Sequence, residues 1–120
     1  MLAACCVAAA CGGSSGPSTP SPTPTNPNQV VISESGAVTP TEIVVSPGSR
    51  VLFINRHSRS HNMASDPHPE HDQCPEINQV GLLQPGESRE TGNLVTVRTC
   101  GYHDHDNPDN ASLKGRIVTR

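Results

Sequence analysis

Six histidines and two cysteines fall within two short segments of the chain. The first segment runs from His57 through His61, His68 and His71 to Cys74, and the second holds Cys100, His103 and His105. Imidazole and thiolate are ligands that copper and zinc select, so these residue types together point to a metal before any other chemistry. One histidine in a polar loop is an ordinary titrating group, but the whole set in one small domain weakens that plainer reading. The cysteines open a second route. In an oxidising compartment an even pair tends to close as a disulfide, and a Cys74–Cys100 bridge would remove a thiolate from the ligand set. The histidines His61, His68, His71, His103 and His105 could then hold copper or zinc alone. Both roles are open to Cys100 at this level.

The elements that must position these residues read as strands. Short runs rich in Val and Ile, closed by turn residues, place strands at about 29–34, 42–46, 50–55, 95–100 and 115–119, and the turn at Pro85-Gly86 leads into a further candidate at 88–91. Pro47-Gly48 and Pro85-Gly86 are turn dipeptides between them. No stretch sustains a helical period, so the expected architecture is all-β, a β-sandwich or small barrel, with both histidine segments in loops. The only aromatic residues are Phe53 and Tyr102, which makes for a thin core that a metal or disulfide would usefully brace.

Ahead of this domain, at 29–120, the chain changes character. Residues 1–28 contain no Asp, Glu, Lys or Arg. The stretch 12–28 carries Pro17, Pro20, Pro22, Pro24 and Pro27 among Ser, Thr and Asn, the composition of a disordered, extended tether. The small apolar run before Cys11, followed by Gly12-Gly13-Ser14-Ser15, resembles a bacterial lipoprotein signal, with 1–11 as signal and lipobox and Cys11 as the lipidated residue. A short apolar helix with incidental cysteines is the plainer alternative. Export is the expectation: a domain on the periplasmic or extracellular face, held to a bacterial membrane only by its lipid. The longest apolar run is about half of the roughly 20 residues needed to span a bilayer. A net charge of −3 without a Lys/Arg cluster argues against nucleic acid as a partner.

In order along the chain, Val51-Leu52-Phe53-Ile54-Asn55 followed by His61-Asn62, then Gln84-Pro85-Gly86-Glu87-Ser88, Cys100-Gly101-Tyr102-His103 and Leu113-Lys114-Gly115-Arg116-Ile117 resemble the cupredoxins, the plastocyanin-like and azurin-like copper proteins. The resemblance covers most of 29–120. It implies a Greek-key β-sandwich, one copper ion and single-electron transfer. Carried over residue by residue, it makes His61, Cys100 and His103 the metal ligands, Asn62 a neighbour orienting the ligand loop, and His103 the electron exit. Leu113 stands where the family usually has its axial Met. His105 offers an azurin-like spacing from Cys100, so either His103 or His105 could serve as ligand, with His68 and His71 as further candidates.

Under that resemblance the partner is a redox protein or a copper donor or acceptor, met by a monomer. Two other classes compete with electron transfer. One is non-redox copper or, less favoured, zinc binding through histidines for storage or delivery. The other is a metal-free interaction module stapled by Cys74–Cys100. A multistep enzyme has the least support, because no nucleophile and base stand at a recognisable spacing.

Overall fold

The computed structural model describes residues 26–120. The Cys11 site, the 1–11 signal and the linker up to residue 25 lie outside the described residues. The domain is all-β, with strands β1 (Gln29–Ile32), β2 (Val38–Thr39), β3 (Glu42–Val45), β4 (Leu52–Asn55), β5 (His61–Ser65), β6 (Gly81–Leu83), β7 (Ser88–Glu90), β8 (Arg98–Asp104) and β9 (Gly115–Thr119). They form two mixed sheets, ordered β2-β1-β4-β7 and β3-β9-β8-β5-β6. β1 runs parallel to β4, and β3 parallel to β9. The tether ends in contact with the domain, since Asn26 Nδ2 donates to Arg50 O at 3.0 Å and to Glu90 Oε2 at 2.8 Å.

The core lies between the sheets and follows strand alternation. Val30 and Ile32 of β1, Phe53 of β4, Met63 of β5, Cys100 and Tyr102 of β8 and Ile117 of β9 are all buried in one cluster. Phe53 and Tyr102 meet edge to face, with ring centroids 5.0 Å apart, an arrangement that adds about 0.5–1.5 kcal/mol beyond area burial. Both Pro-Gly signals form turns in which Gly48 and Gly86 have φ of 90° and 85°, a conformation glycine reaches without strain.

The structure departs from the sequence reading at the two histidine segments. His61–Ser65, read as loop, is strand β5, and the strand read at 95–100 lies at Arg98–Asp104 instead. Val95 and Val97, whose type suggested strand, are exposed in the preceding connection. Burial decides the register. Starting at Arg98 puts Cys100 and Tyr102 into the core, a larger gain than pairing two valines at the surface.

Candidate metal centre

β5 and β8 are antiparallel neighbours with Met63 opposite Asp104, Ala64 opposite His103 and Ser65 opposite Tyr102. Residues paired in this way share a face, and faces alternate along each strand. His61, Met63, Cys100, Tyr102 and Asp104 therefore face the sandwich interior, whereas Ala64 and His103 face outward.

This geometry corrects the ligand set carried over by resemblance. Cys100 is disulfide-bonded to Cys74, with Cα atoms 5.9 Å apart, so its sulfur offers no thiolate. His103 was expected on a loop after Cys100. β8 instead stays extended through Asp104, and alternation puts Cys100 and His103 on opposite faces. His61, Cys100 and His103 are not brought together. Leu113 closes a short 3-10 turn at Ala111–Leu113 and is buried in the core as a packing residue. Asn62 acts through its backbone: its N–H donates to Asp104 Oδ1 at 3.1 Å, and its carbonyl accepts from His105 N at 2.7 Å.

What converges is a set of histidines on the outer face. The disulfide draws the segment after β5 back over β8, where Asp66 N donates to Gly101 O at 3.0 Å and Gly101 N donates to Gln73 Oε1 at 3.0 Å. Cys74 N donates to Ser65 Oγ at 2.8 Å, and Asn78 Nδ2 donates to the His71 carbonyl at 2.7 Å. Held this way, His68, His71 and His105 place one ligand nitrogen each within 4.8 Å of one another. His103 lies beside them, its ring centroid 4.9 Å from that of His71 and 5.4 Å from that of His68.

Hydrogen bonds assign the protons. The Ser65 carbonyl accepts from His71 Nδ1 at 2.8 Å, which in a neutral ring leaves the Nε2 lone pair free; that nitrogen is 2.8 Å from His105 Nδ1. Asp66 Oδ1 accepts from His103 Nδ1 at 2.6 Å, and His103 Nε2 is buried with no hydrogen-bond partner among the described residues. A side chain at Gly101 would collide with the Asp66 carboxylate, so the glycine makes room for this contact. Partial desolvation, together with repulsion from His105, His103 and His71 and against a weaker pull from Asp109, lowers the His68 pKa. That keeps its lone pair available near neutral pH. A donor set made only of imidazoles suits copper, zinc or nickel, and it lacks the sulfur of a blue copper site.

A second histidine group sits on the inner face. Asp104, fully buried, accepts from His61 Nδ1 at 2.7 Å and also from Asn62 N, Asp106 N and Asn107 Nδ2. Burial pushes its carboxyl pKa up, but these four donors outweigh burial and hold it below the usual value. The opposite ring nitrogen of His61 is 2.8 Å from His57 Nδ1. His57 is itself fixed, because its N–H donates to Asn55 Oδ1 at 2.9 Å and Gly36, at φ 82°, leaves space for its ring.

Sequence reasoning did not single out Asp66, Asp104 or His57 as partners of the other histidines. One signal was present. In an extended His103-Asp104-His105 segment the two imidazoles share a face and the carboxylate takes the other.

No protein-family model matches the chain, and no curated protein does. Solved structures do. The match to a purple cupredoxin from Nitrosopumilus maritimus has a TM-score of 0.59 at 18% identity, covering 77% of this chain and 98% of that one. Oxidised plastocyanin from Dryopteris crassirhizoma matches with a TM-score of 0.59 at 23% identity, over 77% of this chain and 99% of its own. A Cu(I) form of an amicyanin variant gives 0.64 at 17%, over 82% and 86%. The two sheets, their order and these matches together define a cupredoxin β-sandwich. The likeness is one of fold, and the site is argued from this chain's own residues.

Proposed function

We propose that this domain binds one copper ion through histidines on the outer face of β5 and β8, as an exported protein that holds or delivers the metal. The observation that carries the reading is the convergence of His68, His71 and His105, with ligand nitrogens within 4.8 Å. Imidazoles accept both common oxidation states of copper, and zinc is the weaker candidate by the usual order of affinity. The Cys74–Cys100 bridge supports export, because such bonds persist in oxidising compartments. Lipidation at Cys11 would hold the domain at a bacterial membrane surface, where a copper donor or acceptor meets the monomer.

Electron transfer is the second reading. It is favoured by the fold shared with a Cu(I) form of amicyanin and by the exposure of His68 and His105, which would lie at the surface where a redox partner docks.

Titrating the oxidised, full-length protein with Cu(II) against a competing chelator tests the main reading. The expected result is one tightly held ion with pale colour and nitrogen hyperfine structure in its electron paramagnetic resonance. Failure to retain copper overturns the reading, and an intense thiolate band would restore Cys100 as a ligand. Reversible one-electron voltammetry of the loaded protein would favour the electron-transfer reading.

A further inference from the structure

The three histidines whose nitrogens converge leave one neighbour unexplained. His103 is 2% exposed, and its Nε2 is a buried polar atom without a partner among the described residues. A buried polar group left unpaired is destabilising, and native proteins tolerate it where a water, an ion or a function answers it. The atom is not idle by accident of rotation. Its ring is clamped at the other nitrogen by Asp66 at 2.6 Å and stacked on His71 at a 26° interplanar angle.

Resting on the metal-binding reading above, we propose that His103 Nε2 is the fourth ligand and that Asp66 is its positioning residue. An ionised carboxylate can only accept, so Asp66 fixes the proton on Nδ1 and presents the Nε2 lone pair. The same carboxylate–histidine–metal arrangement recurs where imidazole orients on an ion. Asp66 also places one negative charge beside a dication that four neutral imidazoles would otherwise leave uncompensated. Gly101 is part of the device, because any side chain there would displace the Asp66 carboxylate.

The consequence is a closed coordination sphere. Four protein ligands would be, on Zn(II), the pattern of sites that hold a metal and not of sites that keep a position open for substrate. His68 and His71 come from the segment folded back over the sheet, and His103 and His105 from β8 and the residue after it. The ion would therefore clamp that segment to the strand from the outside, as the disulfide does from the core.

Zn(II) serves as a diamagnetic probe on the full oxidised chain. The test follows the ring-nitrogen resonances of all six histidines as one equivalent is added. The expected result is that the metal-binding nitrogens of His68, His71, His103 and His105 shift together while those of His57 and His61 stay. If the first, second and fourth of these shift and His103 Nε2 does not, the fourth-ligand proposal fails and the three-histidine reading stands. If none shifts, both fail. Asp66→Asn should weaken Zn(II) binding about tenfold or more and loosen the Nδ1–H tautomer of His103 in the metal-free protein. Unchanged affinity with an unchanged tautomer would remove Asp66 from the site. This comparison needs no variant of buried His103 itself, and a purely structural role for Asp66 would not move the tautomer signal.

Discussion

The two histidine groups lie on opposite faces of the same strand pair and differ in what is left over. On the inner face, His61 spends one ring nitrogen on Asp104 and the other on His57, and the Asp104 carboxylate has four donors. Among the described residues each of these polar groups has its partner. On the outer face, His103 keeps a buried nitrogen unpaired, and three other imidazoles crowd a volume small enough for one ion. Groups with their hydrogen bonds complete hold a fold together, whereas a buried nitrogen left unpaired beside converging imidazoles indicates something that binds. The inner group occupies the position that resemblance assigns to copper, yet the outer group has the features of a site.

Replacing Asp104 should break the contrast most strongly. Asp104→Ala leaves the buried His61 Nδ1 and two part-buried backbone N–H groups without an acceptor, a loss of about 3–5 kcal/mol by analogy with other broken buried pairs. Urea unfolding of the oxidised, metal-free protein measures it. Because the folded carboxyl pKa is held below the usual value, its stabilising effect is complete above the unfolded Asp range near 4 and is lost as pH falls through the lower folded value. Asp104→Asn should flatten that acid limb. A variant that kept its stability but lost metal would show that the two groups have been assigned the wrong way round.

The disulfide joins the two regions, and removing it should cost nearly as much. A closed loop with a sequence separation of 26 restricts the unfolded chain by about 3.5 kcal/mol in the chain-entropy account. Paired Cys74→Ala and Cys100→Ala should lower stability by roughly that amount and also weaken copper binding, because the segment carrying His68 and His71 is no longer drawn over β8. Calorimetry with and without copper separates the effects. Copper affinity untouched by the loss of the bridge would mean that the hydrogen bonds of Asp66, Gln73 and Asn78 suffice to shape the loop.

How far the sequence already carried these distinctions depends on which forces set each element. Val and Ile runs marked β1, β3, β4 and β9 to within about two residues, since local pattern and burial agree there, and β7, exposed throughout, was placed only by the Pro85-Gly86 turn before it. β5 was hidden because His61, Asn62 and Ser65 look like loop residues. They stand in a strand that pairs with β6 and β8, with Met63 buried and Asp104, 43 residues beyond His61, supplying the partner for a buried imidazole. The shift in β8 had the larger consequence. Read as ending at Cys100, the strand lets His103 turn towards the sulfur; extended to Asp104, it separates them. The two-cysteine count made a disulfide a live alternative, but which residues surround the ion depends on strand faces that spacing alone could not decide.

Metal loading gives a smaller and more selective change. Copper at about 100 times its dissociation constant should add about 2.7 kcal/mol to the native state by mass action, seen as a higher unfolding midpoint. His71→Ala should abolish most of that increment while leaving metal-free stability within about 1.5 kcal/mol, since His71 is only partly buried and gives up one hydrogen bond to Ser65. A metal-free loss as large as that of Asp104→Ala would place His71 among the groups that hold the fold and blur the contrast.

The smallest expected effect tests the inner group at its edge. His57 is partly buried, gives one ring hydrogen bond to His61 and packs against Gly36. His57→Ala removes that bond and vacates the partly exposed space its ring fills, through which water can reach His61 Nε2 and replace the lost donor, so the cost should be about 1 kcal/mol. Copper stoichiometry should stay at one and the affinity within twofold. The two variants then diverge in kind as well as in size, with Asp104→Ala felt through the whole sandwich and His57→Ala felt locally. A stoichiometry of two in the unaltered protein that fell to one in His57→Ala would instead reveal a second ion between His57 and His61, and the inner face would have to be read as a site after all.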